Sequence, residues 1–205
     1  MGRFEPSADP WDAVKRGFYI PRPDRSLAEQ LAARFELKPR ASHVLMGGVG
    51  SGKTTQLLVA RDRLAANADI NATYVDVSLH IEPNQVTSAA LLAIVGLIHG
   101  SQIDSGTISE TDVAIKAFEG YLDNPGQDWP DNIFDLFARD VESILQKLRK
   151  VRPHHVVLLD SLDRMTDLDR FADLIEGGIS KLREIGIGII LIGCRSFVTA
   201  MVTNT

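Results

Sequence analysis

The chain has 205 residues, 44% hydrophobic and 24% charged, with a net charge of -5; this suits one folded α/β domain and supplies no overall attraction for nucleic acid or an anionic membrane surface. The single cysteine, Cys194, excludes an intrachain disulfide and suits a reducing cytosol. No apolar signal core follows Met1, and the longest apolar run, Ala89 to Ile98, falls short of the ~18 residues of a membrane span, so a cytoplasmic chain with no membrane partner is expected.

Residues 1–25 carry Pro6, Pro10, Pro21 and Pro23 and read as an extended N-terminal arm. It has one short helical turn around Trp11 to Arg16 and is anchored through Phe18, Tyr19 and Ile20. Residues 26–205 read as the core domain. Ser26-Leu27-Ala28-Glu29 is a capping-box pattern opening a helix with Leu27, Leu31 and Phe35 on one face, ended by Pro39. His43-Val44-Leu45-Met46 is a short β-prone run, Gly47 to Thr54 a glycine-rich turn, and Thr55 to Leu64 has helical spacing. Asn71 to Val77 reads as a second strand, Pro83 as a break, and Thr87 to His99 as an apolar helix.

Residues 100–131 read as an acidic insertion: Asp104, Glu110, Asp112, Glu119, Asp123, Asp128 and Asp131 face the one cation Lys116. Its helix is expected from Ser109 to about Tyr121. It is either a solvated elaboration on the rim of the sheet or a partner-docking surface anchored by Trp129. Asp131 is placed to cap a long amphipathic helix through Ile133, Phe137, Val141, Ile144 or Leu145, and Leu148. The helix ends in Lys147, Arg149, Lys150 and Arg152, which complement its negative end rather than form a nucleic-acid patch. His155 to Leu159 is a continuous apolar run, as in a strand buried on both faces, and it ends in Asp160-Ser161-Leu162-Asp163-Arg164. A helix from about Asp169 to Ile185 contains Gly177-Gly178, which bends or interrupts it. Gly188 to Ile192 is the last strand, followed by Gly193-Cys194-Arg195.

The chemistry converges on the strand ends. Gly47-Gly48-Val49-Gly50-Ser51-Gly52-Lys53-Thr54 fully matches G-x-x-x-x-G-K-[ST], between a strand and a helix as that motif requires. Gly47, Gly50 and Gly52 allow the backbone N–H groups to close on an anion, and the helix start adds unpaired N–H groups and a positive dipole end. Gly48, Val49, Gly50, Ser51, Gly52, Lys53, Thr54 and Thr55 would form this cradle, with Lys53 on the β- and γ-phosphates and the Thr54 hydroxyl on Mg²⁺. Ligands of open parallel sheets sit beyond the carboxyl ends of the strands. Asp160, ending its strand, would hold the same Mg²⁺. Asp163 is a helix N-cap, a partner of Arg164, or a second carboxylate polarising the attacking water; Arg195 is a surface ion-pair partner or a cation sensing a γ-phosphate. Asp76 ends the second strand near the site and reads as structural. His154 and His155 flank a strand without a companion at zinc-ligand spacing, and Cys194 reads as a small buried residue. No [NT]-K-x-D segment favours guanine, so the expected nucleotide is ATP.

The glycine loop, then Val156-Val157-Leu158-Leu159-Asp160-Ser161-Leu162-Asp163-Arg164, then Ile190-Leu191-Ile192-Gly193-Cys194-Arg195, resembles the P-loop ATPases of the AAA+/STAND group. The D-small-L-D segment is similar to the NACHT and KAP families, and the arm with Asp24-Arg25 and its helix is similar to the adenine-side segment of Orc/Cdc6-like proteins. The resemblance implies a three-layer α/β sandwich with a parallel sheet in the additional-strand order 1-4-3-2. It also implies that Lys53 and Thr54 serve as the Walker A pair, Asp160 as the Walker B acid and Arg195 as sensor 1. The chain departs from the pattern in two ways. Ser161 stands where typical AAA+ proteins carry a catalytic Glu, so hydrolysis relies on Asp163 or is slow. The fifth strand, lid and effector domains have no counterpart before Thr205, so a truncated core domain is expected.

The function expected is an Mg-ATP-dependent, slowly hydrolysing switch in signalling or defence, with an effector or protein partner and a homo-oligomer formed through the nucleotide site. Three rivals stand beside it: a DNA-associated ATPase of the Orc/Cdc6 or transposition-loader type, a small-molecule kinase, and a nucleotide-binding scaffold without turnover. The kinase would need an acceptor pocket and an arginine-rich lid, neither of which the sequence displays.

Overall fold

In the computed structural model the described residues are 16, 27–48, 50–103 and 110–193. The arm apart from Arg16, Ser26, Val49, the segment 104–109, Cys194 and Arg195 lie outside them.

The described helices are α1 (Leu27–Leu37), α2 (Lys53–Ala65), α3 (Ser88–Gly100), α4 (Glu110–Asp123), α5 (Ile133–Leu148), α6 (Leu168–Asp173) and α7 (Ser180–Glu184). The strands are β1 (Ser42–Met46), β2 (Ile70–Asp76), β3 (His154–Asp160) and β4 (Ile187–Gly193). They form one parallel sheet in the order β1-β4-β3-β2. This is the order expected, and it inserts β4 between the strand before the glycine loop and the strand ending in Asp160.

Parallel neighbours require helical crossovers, so helices cover both faces. The two-residue period of the strands sorts the core into two clusters. Leu45, Val156, Leu158, Ile190 and Ile192 pack with α1 and α2; Val157, Leu159, Ile187, Ile189 and Leu191 pack under α3, α5 and the α6–α7 segment. The result is a three-layer sandwich. At the edge, β1 buries Leu45 and leaves Val44 and Met46 exposed. Among the described residues, no helix is long and apolar enough to cross a membrane. The apolar α3 is instead covered on nearly every side within the fold.

Several local expectations need correction. The acidic stretch keeps the carboxylates of its described residues at the surface but is more than a solvated rim: α4 buries Ala114, Phe118 and Tyr121, and Phe118 and Tyr121 meet Phe137 of α5 edge to face at 5.0 and 5.3 Å. Trp129 is not a free anchor, because it packs on Tyr121 and donates Nε1–H to the Asn124 carbonyl at 3.0 Å. Asn132, not Asp131, precedes α5, and no side chain caps that end.

Three of the four basic residues at the end of α5 are spent internally. Lys147 donates to Thr111 at 2.6 Å, Arg152 to the Ile70 carbonyl at 2.9 Å, and Arg149 to the Ile185 carbonyl. The helix expected over 169–185 is three pieces, with a π-helical segment from Leu174 to Ile179 between α6 and α7. The glycine pair lies in that segment, where Gly178 N–H donates to the Ser88 hydroxyl at 2.9 Å. A side chain on Gly177 would collide with the same hydroxyl, so the glycines let this segment lie against the start of α3.

Candidate functional site

The loop between β1 and α2 is built by two left-handed glycines. Gly50 has φ 76° and Gly52 φ 81°, conformations costly for a residue bearing Cβ. Gly52 precedes α2 directly; its carbonyl accepts the first helical bond from Gln56 N–H at 2.9 Å, and it has no side chain with which to cap the helix. The N–H groups of the first turn therefore lack a side-chain acceptor at the end where the helix dipole is positive, a setting suited to an anion.

Asp160 arrives from the other side by strand parity. It shares the face of Val156 and Leu158, the face that α2 covers, and it ends β3 in register with Asp76 of β2. Only 5% of Asp160 is exposed. One carboxylate oxygen accepts Tyr74 O–H at 2.8 Å and the other accepts the Ser161 N–H at 2.7 Å. Each oxygen retains lone-pair capacity for another donor or a cation. Ser161 has φ 67°, the only non-glycine positive φ among the described residues, and this sharp turn redirects the chain into Leu162–Arg164.

That turn presents Asp163 to Lys53. The ion pair is 3.1 Å long, with 10% of the lysine side chain and 21% of the aspartate side chain exposed. Lys53 also donates to the Gly47 carbonyl at 2.9 Å and the Gly48 carbonyl at 3.0 Å. Asp163 is thus neither a helix cap nor a partner of Arg164: the residue before α6 that caps it is Asp167, on Arg170 N–H. Gly50, Ser51, Gly52, Lys53, Thr54, Thr55, Asp160, Ser161, Asp163 and Arg164 line one cleft of about 370 Å³.

Chemically, this cleft offers backbone N–H groups and an ammonium for an anion, and hydroxyl and carboxylate oxygens for a hard cation. Thr54 and Asp160 are the oxygen donors suited to Mg²⁺, which takes one or two protein oxygens and completes its shell with water and phosphate. No cage of three or more His, Cys, Asp or Glu side chains exists among the described residues. A second cleft of about 350 Å³, between α4 and α5, includes Glu110, Thr111 and Asp140 but has no comparable convergence of donors.

Sequence reasoning missed the support around Asp160. Tyr74 fixes its carboxylate from the neighbouring strand. Asp76 accepts from Ser78 N–H at 3.1 Å and Ser78 O–H at 2.7 Å, and Ser78 reaches the Ser161 hydroxyl at 3.4 Å. Burial alone would raise the Asp76 pKa; hydrogen bonds from Ser161 and Ser78 and the charge of Arg164 outweigh it and hold the carboxyl below its usual range. Asp76 thus fixes the turn after β2 and, through Ser161, ties down the residue that follows Asp160.

His155 does not flank β3 but lies inside it, buried against His99 of α3 with ring centroids 5.4 Å apart. Val49 and Arg195 fall outside the described residues; β4 ends at Gly193, in register with Met46 at the end of β1. Scanned against protein-family models and against curated proteins, the chain matches none.

Proposed function

We propose that this chain binds Mg-ATP in the cleft between the glycine loop and the end of β3, and hydrolyses it slowly as a P-loop ATPase of the AAA+/STAND kind. One observation carries the reading: the loop with its two left-handed glycines opens α2 directly opposite a buried, doubly hydrogen-bonded Asp160. The strand order β1-β4-β3-β2, which the resemblance implies, supports it.

In this reading the first-turn N–H groups of α2 and the Lys53 ammonium bind the phosphates, and Thr54 and Asp160 hold the metal. Mg²⁺ would neutralise phosphate charge as the terminal phosphoryl group leaves. Asp163 is the carboxylate within the cleft that can accept a proton from water. The role as a signalling or defence switch, with an effector partner and assembly through the nucleotide site, rests on the resemblance alone.

The test is titration with a fluorescent ATP analogue, with circular dichroism as the folding control. Lys53→Ala should abolish binding and leave the fold intact. Equal affinity in wild type and variant would refute the site, and GTP bound more tightly than ATP would refute the adenine preference.

A second reading, nucleotide binding without turnover, is favoured by Ser161. It occupies the position after Asp160 where a catalytic Glu is expected, and its hydroxyl is engaged by Ser78. Phosphate release at or below the buffer background, with ATP affinity intact, would select it.

A further inference from the structure

An ammonium has three protons and no lone pair. Those of Lys53 are all engaged: by the carbonyls of Gly47 and Gly48 and by the carboxylate of Asp163. A phosphate reaching Lys53 must displace at least one of these acceptors. The two carbonyls belong to the loop that would wrap the phosphate; the carboxylate is the negatively charged acceptor, and it stands on the opposite wall. A phosphate repels that carboxylate and competes with it for the same proton.

We propose that Asp163 is a latch: it stands in for the phosphate on Lys53, and nucleotide binding releases it and the turn that carries it. The inference rests on the ATP reading above and adds to it the means by which binding is signalled. Leu162 is buried and holds one end of the turn in the core. Beyond Arg164 the chain is stitched to the Pro83–Gln85 turn. Thr166 N–H and O–H both donate to the Asn84 side-chain oxygen, at 2.8 and 3.1 Å, and Arg170 donates to the Asn84 carbonyl at 2.6 Å. Release of the turn therefore changes the anchorage of α6 and of the segment between β2 and α3. It also frees the Asp163 carboxylate for water.

The experiment uses the full chain, Mg-ATP and calorimetry, comparing wild type with Asp163→Asn and Asp163→Ala, each checked for folding by its thermal melt. Removing the competitor should tighten Mg-ATP about 5-fold in both variants, the worth of a partly exposed ion pair. Hydrogen exchange supplies the second readout. In wild type, Mg-ATP should speed exchange in the turn Leu162–Arg164 and around Asn84; in Asp163→Asn that exchange should be fast before nucleotide is added. Wild-type binding with unchanged or weaker affinity in both variants would overturn the latch and leave the ATP site standing. Absence of binding to wild type would overturn both.

Discussion

Tyr74 and Asp160 are joined across adjacent parallel strands by a hydrogen bond of 2.8 Å from the phenol to the carboxylate. The strand register places Tyr74 opposite Leu158, so the phenol extends toward the carboxyl end of the sheet to meet a side chain two residues further along β3. A bond to a buried charged acceptor contributes more than a neutral one, about 1.5–3 kcal/mol. Tyr74→Phe should lower stability by about that amount. It should also weaken Mg-dependent ATP binding roughly 3- to 10-fold by letting the carboxylate rotate, an effect of up to about 1.4 kcal/mol. Urea denaturation and ATP titration with and without Mg²⁺ measure the two effects; full Mg-dependent affinity in a destabilised variant would make Tyr74 purely structural.

The two aspartates of the β3 end should separate in kinetics. Asp160→Asn keeps an oxygen for the Ser161 N–H and an amide that can donate to the Tyr74 oxygen, so the local fold should survive. It loses the charge that would hold the metal, and Mg-dependent binding and hydrolysis should fall together. Asp163→Asn should retain ATP binding and lose turnover, on the order of the 10²–10⁴-fold associated with a lost general base. Single-turnover hydrolysis under saturating Mg-ATP decides it. A wild-type rate in Asp163→Asn would remove Asp163 from the chemistry.

Glycines in this chain fail for two different reasons, and a pair of substitutions should separate them. At Gly52 an added Cβ would meet nothing within 4 Å, so Gly52→Ala is opposed only by its φ of 81°. The cost should be about 1–2 kcal/mol, with a matching loss of nucleotide affinity as the loop relaxes. At Gly188, the second residue of β4, a Cβ would overlap the Pro39 carbonyl oxygen and press on Phe35. Gly188→Ala should destabilise by more than about 3 kcal/mol without reference to the cleft. Melting curves with bound and free nucleotide distinguish the two: nucleotide should rescue Gly188→Ala as fully as wild type, and Gly52→Ala less.

The strands and the glycine loop were legible because their signals are local: continuous apolar runs ending in Asp160 or Gly193, and a fixed spacing of Gly, Lys and Thr. Tyr74, Ser78 and the pairing of Lys53 with Asp163 were not, because each depends on register between segments far apart in the chain. The π-helical turn was hidden for a related reason: what accommodates it is Ser88 on another helix. The burial of α4 has a local signal as well: Ala114, Phe118 and Tyr121 recur at helical spacing beneath the acidic residues, and this apolar face, not the charged one, decides where the helix packs.

The His99–His155 pair predicts acid lability. His99 is fully buried and donates Nδ1–H to the Val95 carbonyl at 2.9 Å; since a carbonyl only accepts, Nε2 of His99 carries the lone pair. Nδ1 of His155, which is 1% exposed, lies 3.3 Å from the Asn71 amide nitrogen. Neither Nε2 has a hydrogen-bond partner. A proton added to His99 would be stranded without an acceptor.

Burial lowers the His99 pKa to about 4. Burial, followed by His99 and Arg149, lowers that of His155 to about 3. Both depressed values mean that the unfolded chain, near 6.5, takes up protons that the folded chain refuses. The contribution is complete above pH 6.5 and is lost progressively as pH falls toward the folded values, by about 1.4 kcal/mol per pH unit for each histidine. His43 and His80, also lowered chiefly by burial, act in the same direction; Asp140, raised by burial, opposes them near its own range. Urea midpoints at pH 7, 6 and 5 for wild type and His99→Leu isolate the pair. His99→Leu should flatten the decline by about half of the two-histidine slope, because it removes one protonation site and the imidazole facing His155. An unchanged slope in that variant would mean that acid unfolding begins elsewhere, at His43 or His80.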